Sequence, residues 1–248
     1  MITSREHHRK ILHILQFIDK EFLIENHIYF AGGTLISLLN NEFRVSTDID
    51  FITSSDEGYR AIRFLLNKDG NLDNLFKKQL LIDNNIRKDQ YAIRAKVIVE
   101  GTPIKFEILK DKTINIDDYN LNFNGVPCCT EETLIKLKIV ANADRAGIVS
   151  QQGKDIIDLA MLSYSQKKLD NQIKNELLKI ISQEEILKSF LKSYKDITKN
   201  GNNYFNNLGI SIENQRKIKE GLNILKQYFY PHNKKNKYFL AETKKIKY

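Results

Sequence analysis

The sequence predicts an α/β (α+β) domain with a mixed sheet over residues 1–165, followed by an all-α, basic helical bundle over residues 166–248. Three observations carry this expectation. Up to about residue 165, short apolar runs with period-two alternation interleave with stretches whose apolar residues recur every three or four positions. Beyond it, only the helical spacing persists. Charge changes at the same point: residues 166–248 hold 18 Lys and Arg against 8 Asp and Glu, and the rest of the chain holds 21 against 23. A balance of +10 in the last third and −2 elsewhere separates two parts with different jobs, and a basic part suits a polyanionic partner.

The elements follow in order. Ile11, Leu12, Ile14, Leu15, Ile18 and Phe22 predict one amphipathic helix over 3–24, with His7, His8 and His13 on its exposed side. "HIYFAGG" reads as a short buried strand ending in a glycine turn, and Thr34 opens a helix to Leu39. "TDIDFIT" is a second strand, and residues 56–66 are helical. "YAIRAKVIVEG" and "TPIKFEIL" form a hairpin turning at Gly101-Thr102-Pro103, and "INIDDYNLNFNGVPCC" is extended. Residues 130–146 and 154–165 are helices. About four more helical segments follow, with an Asn- and Gly-rich loop over 200–207 and a basic tail from Pro231.

No window approaches 18 uninterrupted apolar residues, so no membrane span is expected. The N-terminal "MITSREHHRKILHILQ" lacks the apolar core of a signal peptide. Cys128 and Cys129 are neighbours, which rarely bridge, and no histidine cluster joins them to make a zinc site; they read as packing residues in a reducing cytoplasm. Tyr228, Phe229 and Tyr230 read as aromatics docked into a core.

One stretch, "FAGGTLISLLNNEFRVSTDIDF", carries the chemistry. Alternation on a strand points Asp48 and Asp50 to one face while Ile49 and Phe51 face a core. In "TPIKFEIL" the apolar residues Ile104, Phe106 and Ile108 leave Glu107 on the opposite face. If the two strands are neighbours, three carboxylates converge. Carboxylates so close repel one another unless a cation sits among them, and oxygen-only ligands suit Mg²⁺ first and Mn²⁺ second. Gly32 and Gly33 allow the backbone to approach a phosphate, and Thr34 opens a helix whose N–H groups favour anions.

In this order, "GGT" and "RVSTDIDF" resemble the polymerase-β-type nucleotidyltransferase superfamily, and within it the AbiEii-type abortive-infection toxins. Arg44, Ser46, Asp48, Asp50 and Phe51 fit the family's pattern, and the likeness runs on through "EETLIKLKIVANADR" and "GKDIIDLAML", over about residues 28–162. The resemblance implies Mg²⁺-dependent transfer of a nucleoside monophosphate from an NTP to an acceptor hydroxyl, in a toxin with an antitoxin partner or in phage defence. It implies that Asp48 and Asp50 hold metal and that Gly32, Gly33, Thr34, Arg44 and Ser46 bind nucleotide. Glu107 then serves as third ligand or base. Lys138, with Lys136 as rival, supplies phosphate counter-charge. Asp155, with Asp158 as rival, supports that lysine. Leu134, Lys138, Ala141 and Arg145 share one helical face, as do Asp155 and Asp158. The acceptor stays open: RNA such as transfer RNA reached through the basic third, or a small-molecule or protein hydroxyl. A non-catalytic nucleic-acid-binding protein on the same fold is the reading from a different class.

Overall fold

A computed structural model of the chain describes residues 4–69, 72–83, 85–116, 118–167 and 169–230. The basic tail from Pro231, with Lys234, Lys235 and Lys237, lies outside the described residues. By their contacts the described residues form two compact units. One runs to Leu137 and takes in Phe205–Ile210; the other comprises Lys138–Tyr204 and the residues from Ser211 onward.

In the first unit, the single helix expected over 3–24 is two: α1 (Glu6–Phe17) and α2 (Lys20–Glu25). One local hydrogen bond and one to a distant segment draw the backbone out of the helix between them. Asp19 caps α2 by accepting from Phe22 N, donates its own N–H to the Leu75 carbonyl, and Ile18 bridges to Phe76. His8 is not on the solvent side of α1 but fully buried. It lies three, seven and ten residues before Ile11, Leu15 and Ile18, and so belongs to the apolar stripe.

The sheet has eight strands among the described residues: β1 (Tyr29–Ala31), β2 (Asp48–Thr53), β3 (Leu81–Ile82), β4 (Arg87–Lys88), β5 (Ala92–Val99), β6 (Thr102–Lys110), β7 (Tyr119–Asn122) and β8 (Val126–Cys129). Their order is β3-β5-β6-β2-β1-β8-β7, with β4 also paired to β5. The sheet is mixed, as expected: β2 runs parallel to β6 and β1 parallel to β8, and the other pairings are antiparallel. Phe30, Phe51 and Phe106 pack side by side across three adjacent strands, their rings tilted at centroid distances of 5.5 and 5.6 Å and fully buried. The β5–β6 turn is one residue earlier than expected. Glu100 and Gly101 both take positive φ, a two-residue hairpin turn, and Pro103 lies inside β6 ahead of the stretch that pairs with β2. Cys128 and Cys129 are free and buried, and burial pushes the Cys128 thiol up to about 12, in keeping with a packing role.

Helices α3 (Gly32–Leu39) and α4 (Asp56–Asp69) belong to this unit, and the division between the units falls inside α5 (Glu131–Arg145). The second unit continues with α6 (Lys154–Gln166), α7 (Asn171–Leu177), α8 (Gln183–Asn207) and α9 (Ile212–Phe229). Three helices, not four, therefore follow residue 166 among the described residues. The expected loop over 200–207 is the last part of α8. Asn200 and Tyr204 both donate to the Asp196 carboxylate from one and two turns on, and Tyr204 and Phe205 are buried, which outweighs the poor helix propensity of Asn and Gly. Tyr228 donates to the Asp170 carbonyl, and Phe229 packs 5.0 Å from Phe190, so these aromatics do dock into a core. No helix among the described residues is long and apolar enough to cross a membrane.

Helices α6 and α9 meet at Gly221, where a Cβ would overlap the Ala160 carbonyl oxygen. Gly221→Ala should lower the thermal midpoint by about 3–8 °C, because forced separation outweighs the gain in helix propensity. An unchanged midpoint in a thermal melt would show that the two helices do not pack this closely.

Candidate active site

Strand β2 opens with the two aspartates. Asp48 and Asp50 are partly exposed on one face, while Ile49 and Phe51 are fully buried on the other. Register then sets what surrounds the acids. Ala31, the last residue of β1, pairs with Asp50, and Gly32 follows at φ +74° as the first residue of α3. A Cβ on Gly32 would overlap Asp50 Oδ2, so this carboxylate lies against the start of the helix. The N-cap of α3 is Ala31, whose methyl cannot satisfy the N–H groups of Gly33 and Thr34. A helix end of this kind favours an anion.

The loop before β2 is locked by side chains expected to touch nucleotide. Thr34 is fully buried; its hydroxyl donates to the Asp48 carbonyl at 2.5 Å and shares a 2.8 Å hydrogen bond with the Ser46 hydroxyl. Arg44, 2% exposed, donates to the Val45 carbonyl at 2.8 Å and lies over the Phe43 ring, while Ser37 donates to the Arg44 carbonyl. Thr34, Arg44 and Ser46 thus form the frame that aims Asp48. The surfaces the site offers an anion are the backbone N–H groups of the first helical turn.

Parallel pairing of β2 with β6 places Asp48 beside Lys105 and Asp50 beside Glu107, so the three acids share one face of the sheet as their parity predicted. Glu107, however, is 8% exposed and already engaged: Arg94 Nε donates to Oε1 at 2.8 Å and Lys105 Nζ to Oε2 at 2.7 Å. Burial alone would pull the Lys105 pKa down. The hydrogen bond and charge of Glu107, together with the charges of Asp48 and Asp50, outweigh it and hold the ammonium above its ordinary value. Among the described residues no group of three His, Cys, Asp or Glu is arranged to hold a metal ion. Asp48 and Asp50 are the two carboxylates that the start of β2 sets on one face. That pair fits Mg²⁺, which is commonly held by one or two carboxylates together with substrate phosphates.

The second unit contains its own charged cluster. Lys138 Nζ lies 2.7 Å from Asp158 Oδ2 and 3.1 Å from Asp155 Oδ1, and Arg145 reaches Asp155 at 2.8 Å. Asp158 is fully buried. Both aspartates serve the same lysine, so the two named as rivals act together here. Lys136 instead reaches Glu132 one turn back, at 3.4 Å.

The chain is similar to known proteins. A family model described as nucleotidyl transferase AbiEii toxin, type IV toxin–antitoxin system, matches residues 18–219. The chain belongs to this family. A crystal structure from H. pylori, provisionally described as that of a nucleotidyltransferase, has a similar fold, with a TM-score of 0.53 at 15% identity over 92% of this chain and 96% of that one. No curated protein matches. As a member of the AbiEii family the protein is a nucleotidyl-transfer enzyme, and the reading that made it a binding protein without catalysis falls away. The match spans both charged clusters.

Reading the sequence missed Arg94 and Lys105. Lys105 has the same strand parity as Glu107, which was the available signal; Arg94 needs the β5–β6 register, which sequence alone does not give.

Gly32→Ala should cut nucleotidyl transfer by about 100-fold or more, since the new Cβ displaces the Asp50 carboxylate and φ +74° strains an L-residue. Circular dichroism should remain that of the folded protein. A variant with wild-type turnover would remove Asp50 from the site.

Proposed function

We propose that this AbiEii-family protein transfers a nucleoside monophosphate from an NTP to an acceptor hydroxyl, releasing pyrophosphate, with Mg²⁺ as cofactor and Mn²⁺ as its substitute. The favoured acceptor is RNA, with transfer RNA the leading class. The observation that carries this reading is the Asp48–Asp50 pair, on one face of β2 and against the open start of α3. Two carboxylates beside a helix N-terminus suit a cation and a polyphosphate together.

Asp48 and Asp50 hold the metal, which when bound offsets the negative charge of the phosphates and orients the attacking and leaving oxygens. Gly32, Gly33 and Thr34 present first-turn N–H groups to the β- and γ-phosphates. Arg44 and Ser46 keep the loop in shape around them. Glu107 takes the proton of the acceptor hydroxyl or joins the ligands once Lys105 has left it.

The charge split supports the RNA assignment. A polyanion approaching an acidic metal site needs positive charge to offset repulsion, and residues 166–248 carry a balance of +10. An antitoxin protein, in a toxin–antitoxin or phage-defence setting in the cytoplasm, completes the reading.

The test is to incubate the protein with each labelled NTP, Mg²⁺ and total RNA and to follow the label. Label should enter RNA, and Asp48→Asn should abolish transfer while leaving the thermal midpoint unchanged or slightly raised, because it relieves like-charge repulsion. RNA affinity should fall steeply with salt, with a slope near −0.9 per duplex phosphate contacted. Label on a protein or small molecule, with RNA binding indifferent to salt, would instead assign the acceptor to those classes.

A further inference from the structure

The first turn of α1 grips the loop that leads into β2. Asn41 and Glu42 adopt φ of +55° and +54°, a left-handed conformation that residues other than glycine keep only when their surroundings hold them. The Glu42 carboxylate is what is held. Its Oε2 accepts from Ser4 N at 2.6 Å and from the Ser4 hydroxyl at 2.8 Å, and its Oε1 accepts from His8 Nδ1 at 2.8 Å. The other nitrogen of the same ring, His8 Nε2, accepts the backbone N–H of Ser46 at 3.3 Å. Beside it, His7 Nε2 lies 3.0 Å from the Thr47 carbonyl.

His8 is fully buried on the apolar stripe of α1, where an aliphatic side chain would pack without needing any partner. Instead both ring nitrogens are spent on residues 42 and 46. Glu42 Oε1 and the Ser46 N–H leave one tautomer, with the proton on Nδ1 and a lone pair on Nε2. Ser46 in turn shares its hydroxyl with Thr34, and Thr34 donates to the Asp48 carbonyl. An unbroken chain of hydrogen bonds thus joins His8 to the start of β2.

We propose that His8 and Glu42 form a positioning clamp for the nucleotide site, in which neutral His8 sets the Ser46 backbone and through it the aim of Thr34 and Asp48. The proposal rests on the reading of Asp48 and Asp50 as the metal and nucleotide site. His8 touches neither substrate nor metal; it acts through Ser46. Protonation of Nε2 would set a second N–H against the Ser46 N–H and open the clamp. The charged groups facing the ring are Glu42 and, beyond it, Arg5. Burial, the dominant influence, and Arg5 lower the His8 pKa, Glu42 raises it, and the net result lies below the ordinary value. A depressed folded-state pKa means that the clamp's stabilisation is complete above about pH 6.5 and is lost as pH falls below it.

The test measures binding of ATP, GTP, CTP and UTP, each with Mg²⁺, by calorimetry from pH 5.5 to 8. His8→Phe, which keeps the ring volume and loses both bonds, should weaken the best-bound nucleotide about tenfold at pH 7.5, the worth of one buried hydrogen bond. His8→Gln, whose amide both donates and accepts, should restore affinity to within about threefold. Wild-type affinity should decline as pH falls through a value below the ordinary histidine range, beyond the decline that protonation of the nucleotide's own terminal phosphate gives both proteins, and that additional decline should be absent in His8→Phe. A His8→Phe variant with the wild-type affinity and the wild-type pH profile overturns the clamp. Wild-type protein that binds none of the four nucleotides overturns the site reading and the clamp with it. Nitrogen-15 spectra of the wild-type ring give a measure independent of any variant: Nδ1 protonated and Nε2 bare agrees, and the opposite tautomer overturns the proposal.

Discussion

A single buried hydroxyl, that of Thr34, joins the first turn of α3 to the first residue of β2, and the site depends on this junction. Strand β2 is fixed from the other side as well. Phe51 packs between Phe30 and Phe106, and Ile49 is fully buried. Burying two such side chains contributes about 3–6 kcal/mol in transfer terms. A slip of one residue would move that apolar pair to solvent and drive both aspartates into the core, so the register is strongly specified. The core thus compels two carboxylates to stand side by side, at a place where the backbone of Gly32 comes against one of them.

The protein treats its clustered charges in two ways. Glu107 and the Lys138 cluster are neutralised from within: Arg94 and Lys105 grip the glutamate, and Asp155 and Asp158 grip the lysine. Asp48 and Asp50 instead sit partly exposed at the start of a strand, beside a helix end that favours anions. Internal ion pairs are in place before any ligand arrives, whereas a partly exposed pair of carboxylates suits a cation that arrives with its phosphates. Lys105 belongs to both regimes. It bonds to Glu107 and feels the charge of both aspartates, so a cation bound there changes the field that keeps Lys105 in place.

Much of this was legible in the residues. Alternation in "TDIDF" and "TPIKFEIL" gave the faces of β2 and β6, and the Gly-Gly-Thr step gave the junction with α3, because these signals are local. Pairing was less legible. That Asp50 lies beside Glu107 was conditional on two strands being neighbours, and Arg94 on β5 carries no local mark of its pairing with that glutamate. The helix break at Asp19 was hidden because its cause, a bond to Leu75, comes from far along the chain. The Asn- and Gly-rich end of α8 misled in the opposite direction: propensity pointed to a loop, and the burial of Tyr204 and Phe205 overrode it. His8 was misjudged by chemistry rather than by period. Its spacing from Ile11 and Leu15 put it inside, and its polarity suggested otherwise until Glu42 and Ser46 supplied partners.

The central claim is that Asp48 and Asp50 form the cation and phosphate site, and a crystal structure with Mn²⁺ and a non-hydrolysable NTP tests it most directly, since the metal reports its own position by anomalous scattering. An anomalous peak is expected in contact with both Asp48 and Asp50, with the triphosphate against the N–H groups of Gly33 and Thr34. A peak bound instead by Asp155 and Asp158, with β2 untouched, would contradict it.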